Sequence, residues 1–372
     1  MLKNQELAGQ VLNSVQLAQE AVLELANAII TKDSQTLQIL TDDIRALFSY
    51  LYEIGADISK ENTDVNLDDI CITLTDSLDR LLMFAKVDPQ KAFHKIEFEL
   101  LPLLQHGYQY FYFWGCVYPD MQRMKNYYEN EKKLLLKNTY LEESEKSGKY
   151  KYELSISVLA YNKLDYTKQC VESILKTVPK DLNYELILIN HGSTDGTKEY
   201  FESINPTKQL DVKVNGTLGY SIARIVEGKY FISVSNDIII GENAIKNMLQ
   251  CLKSDPKIAF VVPTTSNVSN LQTIPADYSS PVEMQAFAKT NNQYDPFRHE
   301  QRTRLCDPVS AYKMSAAIND IGIFGHFFFK KLAFPDDVIS MLFRRAGYKN
   351  ILAKDAYCHH FGQITLRDEI KS

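Results

Sequence analysis

The spacing of the apolar residues changes near residue 150, and this change divides the chain into two differently built parts. Before it, apolar residues recur at steps of three and four, which is typical of amphipathic helices. After it, short β-branched runs alternate with helical segments of about ten residues. The 372 residues also exceed what one ordinary domain needs. We therefore predict an all-α helical bundle over residues 1–145 and an α/β domain over residues 152–372.

Four or five antiparallel helices are predicted for the first part. The candidate segments are 6–30, 34–54, 68–84, 89–114 and 120–140. Gly55 is expected to end the second of them, and the charged segment Leu141–Lys151 is interpreted as a linker. The aromatic run Tyr108–Trp114 either packs inside the protein or forms a docking patch for an acceptor or partner chain. The second alternative would also allow a homodimer through these helices.

Charge and composition exclude several classes of protein. The net charge of −6 is concentrated in residues 1–150, which carry −8, against +2 in the remainder, so we expect no nucleic-acid partner. No uninterrupted run of about 18 apolar residues exists, which argues against a transmembrane segment. The polar segment Met1–Gln10 does not resemble a signal peptide. The six cysteines form no CxxC pair, which favours a cytoplasmic location.

Polar segments follow three predicted strands of the second part. The alternation of strands and helices predicts a Rossmann-like, mainly parallel sheet flanked by helices, and such sheets bind ligands beyond the carboxyl ends of their strands. The segments are Ala160–Lys163, Asn190–Thr197 and Ser235–Asp237. Each alone could be a turn or a helix cap. Together they predict a single site at one edge of the sheet.

The same segments carry a resemblance to a known family. The stretches YNKLDYTKQCVESIL, ELILINHGSTDGTKEYF and TLGYSIARIVEGKYFISVSNDIII resemble the nucleotide-sugar half of family 2 glycosyltransferases of GT-A fold. The stretch IGIFGHFFFKKLAFPDDVISMLFRRAGYKNILAKDAYCHHFG resembles the acceptor half of that family, with rhamnosyltransferase-like motifs. The resemblance covers roughly residues 152–366 and leaves out the N-terminal helices. It implies a GT-A fold and an inverting glycosyltransferase that uses a nucleoside diphosphate sugar, most simply a UDP- or dTDP-sugar.

The resemblance also implies a metal site. Asp237 matches the carboxylate that holds a divalent cation, which neutralises the charge of the departing diphosphate. His360 matches the late histidine of the family best, and His359 is the second choice. Oxygen and imidazole ligands suit Mn²⁺ or Mg²⁺. A structural role is the alternative for the two histidines.

A base for the acceptor hydroxyl is implied by the acidic pair of the second motif. The match places this base at Asp337, with Asp336 supporting it or binding the acceptor. The alternative is helix capping, because Pro335-Asp336-Asp337 is a good beginning for a helix. Attack opposite the leaving group implies inversion at the anomeric carbon.

Binding of the donor nucleotide is implied for residues after the strands. Tyr161 could stack on the base, and Gly219 would let the backbone approach the donor. The full set of implied donor-binding residues is Tyr161, Asn162, Asn190, Asp195, Gly219 and Asn236.

Two positions depart from the family pattern. The family usually has an aspartate where Asn190 stands and a further acidic residue where Ser235 stands. The leading prediction is a metal-dependent glycosyltransferase acting on a hydroxyl of a glycan or protein, as in polysaccharide biosynthesis. The departures motivate an alternative, a degenerate GT-A module that binds a sugar nucleotide or glycan without turnover. A nucleotidyltransferase is disfavoured because no Gly-rich, basic loop follows the first strand.

Overall fold

The computed structural model describes residues 5–61, 67–118, 120–131, 138–213, 222–322 and 335–362. The chain divides into two compact units. Among the described residues, the first unit comprises those up to 131 together with 209–213 and 222–225. The second comprises 138–208, 226–322 and 335–362.

The first unit is built from helices, as the apolar spacing predicts. Its described helices are Gln5–Thr31, Ser34–Glu61, Leu67–Val87, Pro89–Lys95, Leu101–Tyr112, Met121–Asn126 and Ile222–Ile225. Three π-helical turns, Ile96–Leu100, Phe113–Val117 and Tyr127–Glu131, continue some of them. Across both units, none of the described helices has the length and apolarity that crossing a membrane requires.

The predicted aromatic run lies mostly in the interior of the first unit. The rings of Tyr110, Phe111, Phe113 and Trp114 are buried. Phe113 and Trp114 pack edge to face with centroids 5.1 Å apart, a favourable arrangement for aromatic pairs. The packing interpretation therefore describes these four side chains, which offer no exposed patch for docking.

The end predicted for the second helix is wrong. Gly55 does not end a helix but lies inside Ser34–Glu61, where an added Cβ would come within 3.0 Å of the backbone of Leu67 and Asp68. Glycine therefore permits a close approach of the next helix instead of stopping its own.

The segment interpreted as a linker is also helical. Thr139–Ser147 forms a helix that begins where the side chain of Asn138 accepts a hydrogen bond from the Leu141 N–H, at 3.1 Å. It ends at Gly148, whose φ of 69° is left-handed. The Nδ2 of Asn138 donates to the carbonyl of Val226 at 2.8 Å, so tertiary contacts of the second unit hold this helix.

The second unit has an α/β fold, which confirms the predicted class. The strands are β1 (Tyr152–Ala160), β2 (Tyr184–His191), β3 (Lys208–Val212), β4 (Gly228–Ser235), β5 (Ile238–Ile240), β6 (Ile258–Thr265), β7 (His299–Arg302), β8 (Val309–Lys313) and β9 (Lys349–His360). Its helices are Thr139–Ser147, Leu164–Thr177, Thr197–Ile204, Ala244–Ser254, Pro281–Asn291 and Pro335–Arg345. β3 crosses the boundary between the two units.

The sheet is mixed: its three longest pairings are parallel, as predicted, and shorter antiparallel pairings accompany them. From β2 its strands are ordered β2-β1-β4-β8-β6-β9-β5, and β7 also pairs with β9. β1 is parallel to β2 and β4, and β6 is parallel to β9. β8 runs antiparallel to both β4 and β6, and β5 and β7 run antiparallel to β9.

This topology collects several strand ends at one edge. The register pairs Ala160 of β1 with Asn190 of β2, and Val234 of β4 with Val309 at the beginning of β8. The carboxyl ends of β1, β2, β4, β6 and β9 therefore share one edge with the amino end of β8. Every functional residue predicted from the sequence that the structure describes lies at this edge or on the helix Pro335–Arg345.

Candidate active site

The turn after β1 and the loop after β2 are joined by two of the predicted nucleotide-binding residues. Asn162 has a φ of 54°, a left-handed conformation that asparagine tolerates. Its N–H donates to the Oγ of Ser193 at 2.8 Å, and its Oδ1 accepts from the N–H of Thr194 at 2.9 Å. The buried Asn190 accepts from the N–H of Ser193 at 3.0 Å. The structure thus brings Asn162 and Asn190 together in one hydrogen-bonded pair of turns.

Asn236 ties the third polar segment to the first. Its side chain is buried, and its Nδ2 donates to the carbonyl of Asn162 and to the Oγ1 of Thr167, both at 3.0 Å. Tyr161 is half-buried in the same turn. Gly219 lies outside the described residues. The three polar segments do converge at one edge, as their positions after the strands predict.

Asp195 caps two helices in the described structure. Its Oδ2 accepts from the N–H of Leu164 at 2.8 Å, where Lys163 begins the helix without a side-chain cap. Its Oδ1 accepts from the hydroxyl of Thr197 at 2.6 Å and from that residue's N–H at 3.3 Å. Both carboxylate oxygens therefore stabilise helix beginnings. A contact with the nucleotide base remains a prediction.

Replacing Asp195 with alanine should lower the free energy of unfolding by about 1–2 kcal/mol, because two helices lose a cap. Chemical denaturation of the full chain measures this. Asp181→Ala, an exposed aspartate in the turn before β2, is the matched control and should have little effect. An unchanged unfolding free energy for Asp195→Ala would contradict the capping role.

Asp237 and His360 meet at the end of the sheet. Asp237 lies in the turn between β4 and β5, one residue before the Ile238–His360 pair of the register, and its carbonyl accepts from the N–H of Phe361 at 3.1 Å. Asp237 Oδ2 is 3.2 Å from His360 Nε2, and their side chains are 10% and 9% exposed. The Nδ1 of His360 lies 2.5 Å from the carbonyl oxygen of Asn267.

The hydrogen bond to the carbonyl of Asn267 determines which ring nitrogen of His360 carries a proton. A carbonyl only accepts hydrogen bonds, so Nδ1 carries a proton and donates it. In a neutral imidazole, Nε2 would then present a lone pair to the carboxylate. Either a second proton on the ring or a cation between the two groups removes this repulsion. A backbone carbonyl bound to the far ring nitrogen is also the usual support of a metal-ligating histidine.

The structure does not place His359 with Asp237. Successive residues of a strand point to opposite faces, so His359 lies on the other face of β9 from His360. Its Nδ1 lies 2.6 Å from the Tyr278 hydroxyl and 3.1 Å from the Ser266 hydroxyl. Burial lowers the pKa of His359, and its neighbour His360 lowers it further. The structure thus brings His360, the first choice of metal ligand, to Asp237, and a metal-ligating role for either histidine stays a prediction.

A fuller ligand set is absent from the part of the chain that the structure describes. No group of three or more His, Cys, Asp and Glu side chains is arranged there to hold a metal. Ser235 stands where a second carboxylate would be expected. The candidate cation site therefore consists of Asp237 and His360, with an oxygen and an imidazole nitrogen as its donors.

The predicted acidic pair begins the helix Pro335–Arg345. Asp336 and Asp337 lie in its first turn, and the carboxylate of Asp337 forms an ion pair with Arg304. Further along, the buried ring of Phe343 stacks on Phe260 of β6 with centroids 5.5 Å apart. The helix is thus fixed to the sheet by an apolar contact while its acidic end meets the segment before β8.

A third acidic residue, Asp307, lies beside this pair. It precedes β8, and the hydroxyl of Tyr312 donates to its Oδ2 at 2.9 Å. Burial raises the pKa of Asp307 well above its usual value, and the negative charge of Asp336 raises it further. Sequence reasoning missed Asp307 because the following segment was not predicted as a strand. The dipeptide Asp307-Pro308, which favours a turn, was the feature of the sequence that could have indicated a strand beginning at Val309.

Comparison with known proteins finds a family match for one segment of the chain. Residues 155–317, somewhat less than half of the chain, match the model of the family described as Glycosyl transferase family 2. This segment is a family 2 glycosyltransferase domain. The family 2 match contains Asp237 and Asp307, whereas Asp336, Asp337 and His360 lie beyond it.

Relatives of the family 2 domain are similar over short stretches. The chain is 30% identical over 122 residues to a chondroitin synthase of Pasteurella multocida, covering 31% of this chain and 12% of that protein. It is 33% identical over 107 residues to the glycosyltransferase GlyG of Streptococcus pneumoniae, covering 26% of this chain and 34% of that protein. The chain thus spans only a minor part of the length of these relatives.

Solved structures similar to the family 2 domain have low sequence identity to it. One is GalNAc-T7 with UDP, GalNAc and Mn²⁺, with a TM-score of 0.42, 12% identity, and coverage of 56% of this chain and 44% of that chain. Another is S. aureus TarS 1–349 in complex with UDP-GlcNAc, with a TM-score of 0.41, 14% identity, and coverage of 56% and 58%.

Proposed function

We propose that this protein transfers a sugar, with inversion, from a nucleoside diphosphate sugar to a hydroxyl of a glycan or protein acceptor. UDP- and dTDP-sugars are the proposed donors. One observation carries the proposal: within the unit that contains the family 2 domain, Asp237 Oδ2 and His360 Nε2 lie 3.2 Å apart at the edge where the strand-end turns converge.

Asp237 and His360 would hold Mn²⁺ or Mg²⁺. Their donor atoms fit such an ion, and the Asn267 carbonyl holds the imidazole with Nε2 facing the carboxylate. A bound divalent ion would supply Lewis-acid neutralisation of the charge on the diphosphate leaving group. The chain itself holds these two side chains close together, with Asp237 in the turn before β5 and His360 at the end of β9.

Asp337 would act as the base. It would take the proton of the acceptor hydroxyl while that oxygen forms its bond to the anomeric carbon. The bond from the anomeric carbon to the phosphate oxygen breaks, and its electron pair leaves with the diphosphate. Arg304 holds the carboxylate of Asp337 in place before the acceptor binds.

Metal-linked nucleotide binding tests this function. We expect UDP or dTDP to bind the full chain at least about tenfold more tightly with Mn²⁺ than with a chelator, because an ion held by Asp237 and His360 would neutralise the charge of the diphosphate. At a nucleotide concentration of about 100 Kd, the stability should rise by about 2.7 kcal/mol. Isothermal titration calorimetry and thermal unfolding measure both quantities, with ADP and GDP as comparison nucleotides.

One competing function is a module that binds a sugar nucleotide or glycan without catalysing transfer. It is favoured by Ser235 and by a candidate cation site with only two ligands among the described residues. Nucleotide binding that is equal with and without chelator, together with no donor hydrolysis or transfer to any acceptor, would support that module. It would also contradict the proposed enzyme.

A further inference from the structure

We propose that residues 266–273, here called the β6 loop, hold the candidate cation site and the acidic helix Pro335–Arg345 in one fixed arrangement. Ser266 at one end of the loop binds His360, and Gln272 at the other end binds the segment before β8. Both are positioning residues, because they act through other residues. Their role in transfer rests on the proposed function, whereas the fixed loop is a property of the folded chain.

The first end of the β6 loop holds both the backbone and the ring of His360. The Oγ of Ser266 accepts from the His360 N–H at 3.0 Å, and the Ser266 hydroxyl donates to the His360 carbonyl at 3.1 Å. The carbonyl of the next residue, Asn267, accepts from the ring Nδ1. Gly362 makes room for Asn267, because its φ is 86° and an added Cβ would collide with the Asn267 side-chain amide. Two adjacent residues thus fix the ring that faces Asp237.

The second end of the β6 loop holds the segment before β8. The side chain of Gln272 is buried, its Nε2 donates to the Cys306 carbonyl, and its Oε1 accepts from the Cys306 N–H, both at 2.8 Å. The Sγ of Cys306 also lies 2.8 Å from the Ser269 hydroxyl and accepts from Asn270 Nδ2 at 3.2 Å. One buried side chain therefore satisfies both backbone groups of Cys306, and the loop cannot shift without breaking these bonds.

The segment bound by Gln272 is in turn bound to the acidic helix. The N–H of Leu305 donates to the Oγ of Ser340 at 3.0 Å, and both residues are buried. Arg304 forms the ion pair with Asp337. A continuous path of polar contacts therefore leads from His360 through the β6 loop to the carboxylate of the proposed base.

The turn between the two ends of the loop is strained. Asn270 and Leu271 have φ values of 61° and 56°, a left-handed conformation that is unfavourable for leucine. The side chain of Leu271 is 85% exposed, so its burial does not offset this cost. The Oγ1 of Thr273 accepts from the Val268 N–H at 3.0 Å and donates to the Val268 carbonyl at 2.8 Å. Such strain persists where the surrounding contacts over-determine the backbone, as the contacts at both ends of this loop do.

The first test needs no activity. Leu271→Gly relieves the strain and should lower the unfolding constant of the full chain about fivefold in chemical denaturation. In a Gln272→Ala or Ser266→Ala background the turn is released at one end, so the same substitution should have little further effect. Lys32→Gly is the matched control, because Lys32 is exposed in the helical unit with a φ of 57° and should give the same gain in every background. Equal gains from Leu271→Gly in all backgrounds would overturn the fixed loop.

The second test separates the two ends of the loop. Ser266→Ala should weaken the Mn²⁺-dependent binding of UDP about tenfold, because His360 loses its support, and Ser266→Thr, which keeps the hydroxyl, should restore it. Gln272→Ala should leave UDP binding unchanged and lower kcat at least about tenfold, through displacement of Asp337. Ser254→Ala removes an exposed hydroxyl that donates to a helix carbonyl before β6, and as the control it should change neither quantity.

The outcomes distinguish the β6 loop from the proposed function. Unchanged Mn²⁺-dependent binding in Ser266→Ala, or unchanged kcat in Gln272→Ala, would overturn the positioning role of that residue. If the unmodified chain shows neither Mn²⁺-dependent UDP binding nor transfer while the first test succeeds, the proposed function fails and the fixed loop stands.

Discussion

Replacing Asp237 with asparagine should lower kcat/KM for sugar transfer about 10³-fold, which corresponds to about 4 kcal/mol of lost transition-state stabilisation. Asparagine preserves the size of the side chain and its place between β4 and β5, but it removes the charge that would hold the cation. The remaining candidate ligand, His360, is a neutral donor when it binds a metal. Release of the nucleoside diphosphate in a coupled assay measures the loss.

The same variant should also lose the Mn²⁺-dependent part of nucleotide binding. Asp181→Asn makes the same chemical change in an exposed turn before β2, at the opposite edge of the sheet, and should behave like the unmodified chain. Full transfer activity in Asp237→Asn would contradict the cation site. If Asp237→Asn loses transfer activity but keeps normal Mn²⁺-dependent nucleotide binding, residues other than Asp237 hold the cation.

Asp337→Asn should lower kcat about 10³-fold without changing the Kd of the donor nucleotide, because a general base acts only in the chemical step. The amide can still accept a hydrogen bond from Arg304, so the beginning of the helix Pro335–Arg345 should stay intact. Single-turnover transfer, with nucleotide binding measured in parallel, separates the two quantities.

Glu199→Gln is the control for the loss of a negative charge at a helix beginning. Glu199 is exposed in the first turn of Thr197–Ile204 and should affect neither quantity. If Asp336→Asn proves more damaging to kcat than Asp337→Asn, the base is Asp336. Unimpaired kcat in both variants would leave helix capping as the role of the acidic pair.

Local patterns predicted much of the fold. The three- and four-residue spacing predicts the helical unit, and the alternation of strands with helices predicts the α/β class, because both depend on which side chains share a face. Polar residues that follow strands predicted the convergence of Asn162, Asn190 and Asn236, since parallel strands end at one edge. Asp237 and His360 were paired through the resemblance, and the structure brings Asp237 Oδ2 to 3.2 Å from His360 Nε2.

Other features depend on contacts between residues far apart in the chain. The helix Thr139–Ser147 looked like a linker because its charged residues show no apolar stripe, yet Asn138 anchors it to the carbonyl of Val226. Gly55 looked like a stop signal, but the neighbouring helix requires the space that a Cβ would fill. Gly55 therefore allows two helices to pack closely and does not end a helix.

By itself, the sequence determined the two-part organisation, the sheet edge that carries the chemistry and the candidates Asp237, His360, Asp336 and Asp337. Only the tertiary structure separated His360 from His359, because alternation puts the two rings on opposite faces of β9 and the packing of that strand brings His360 to Asp237. It alone also brought Asp307 to the acidic helix, because Tyr312 of β8 donates to Asp307 and stacks on Phe343 of that helix.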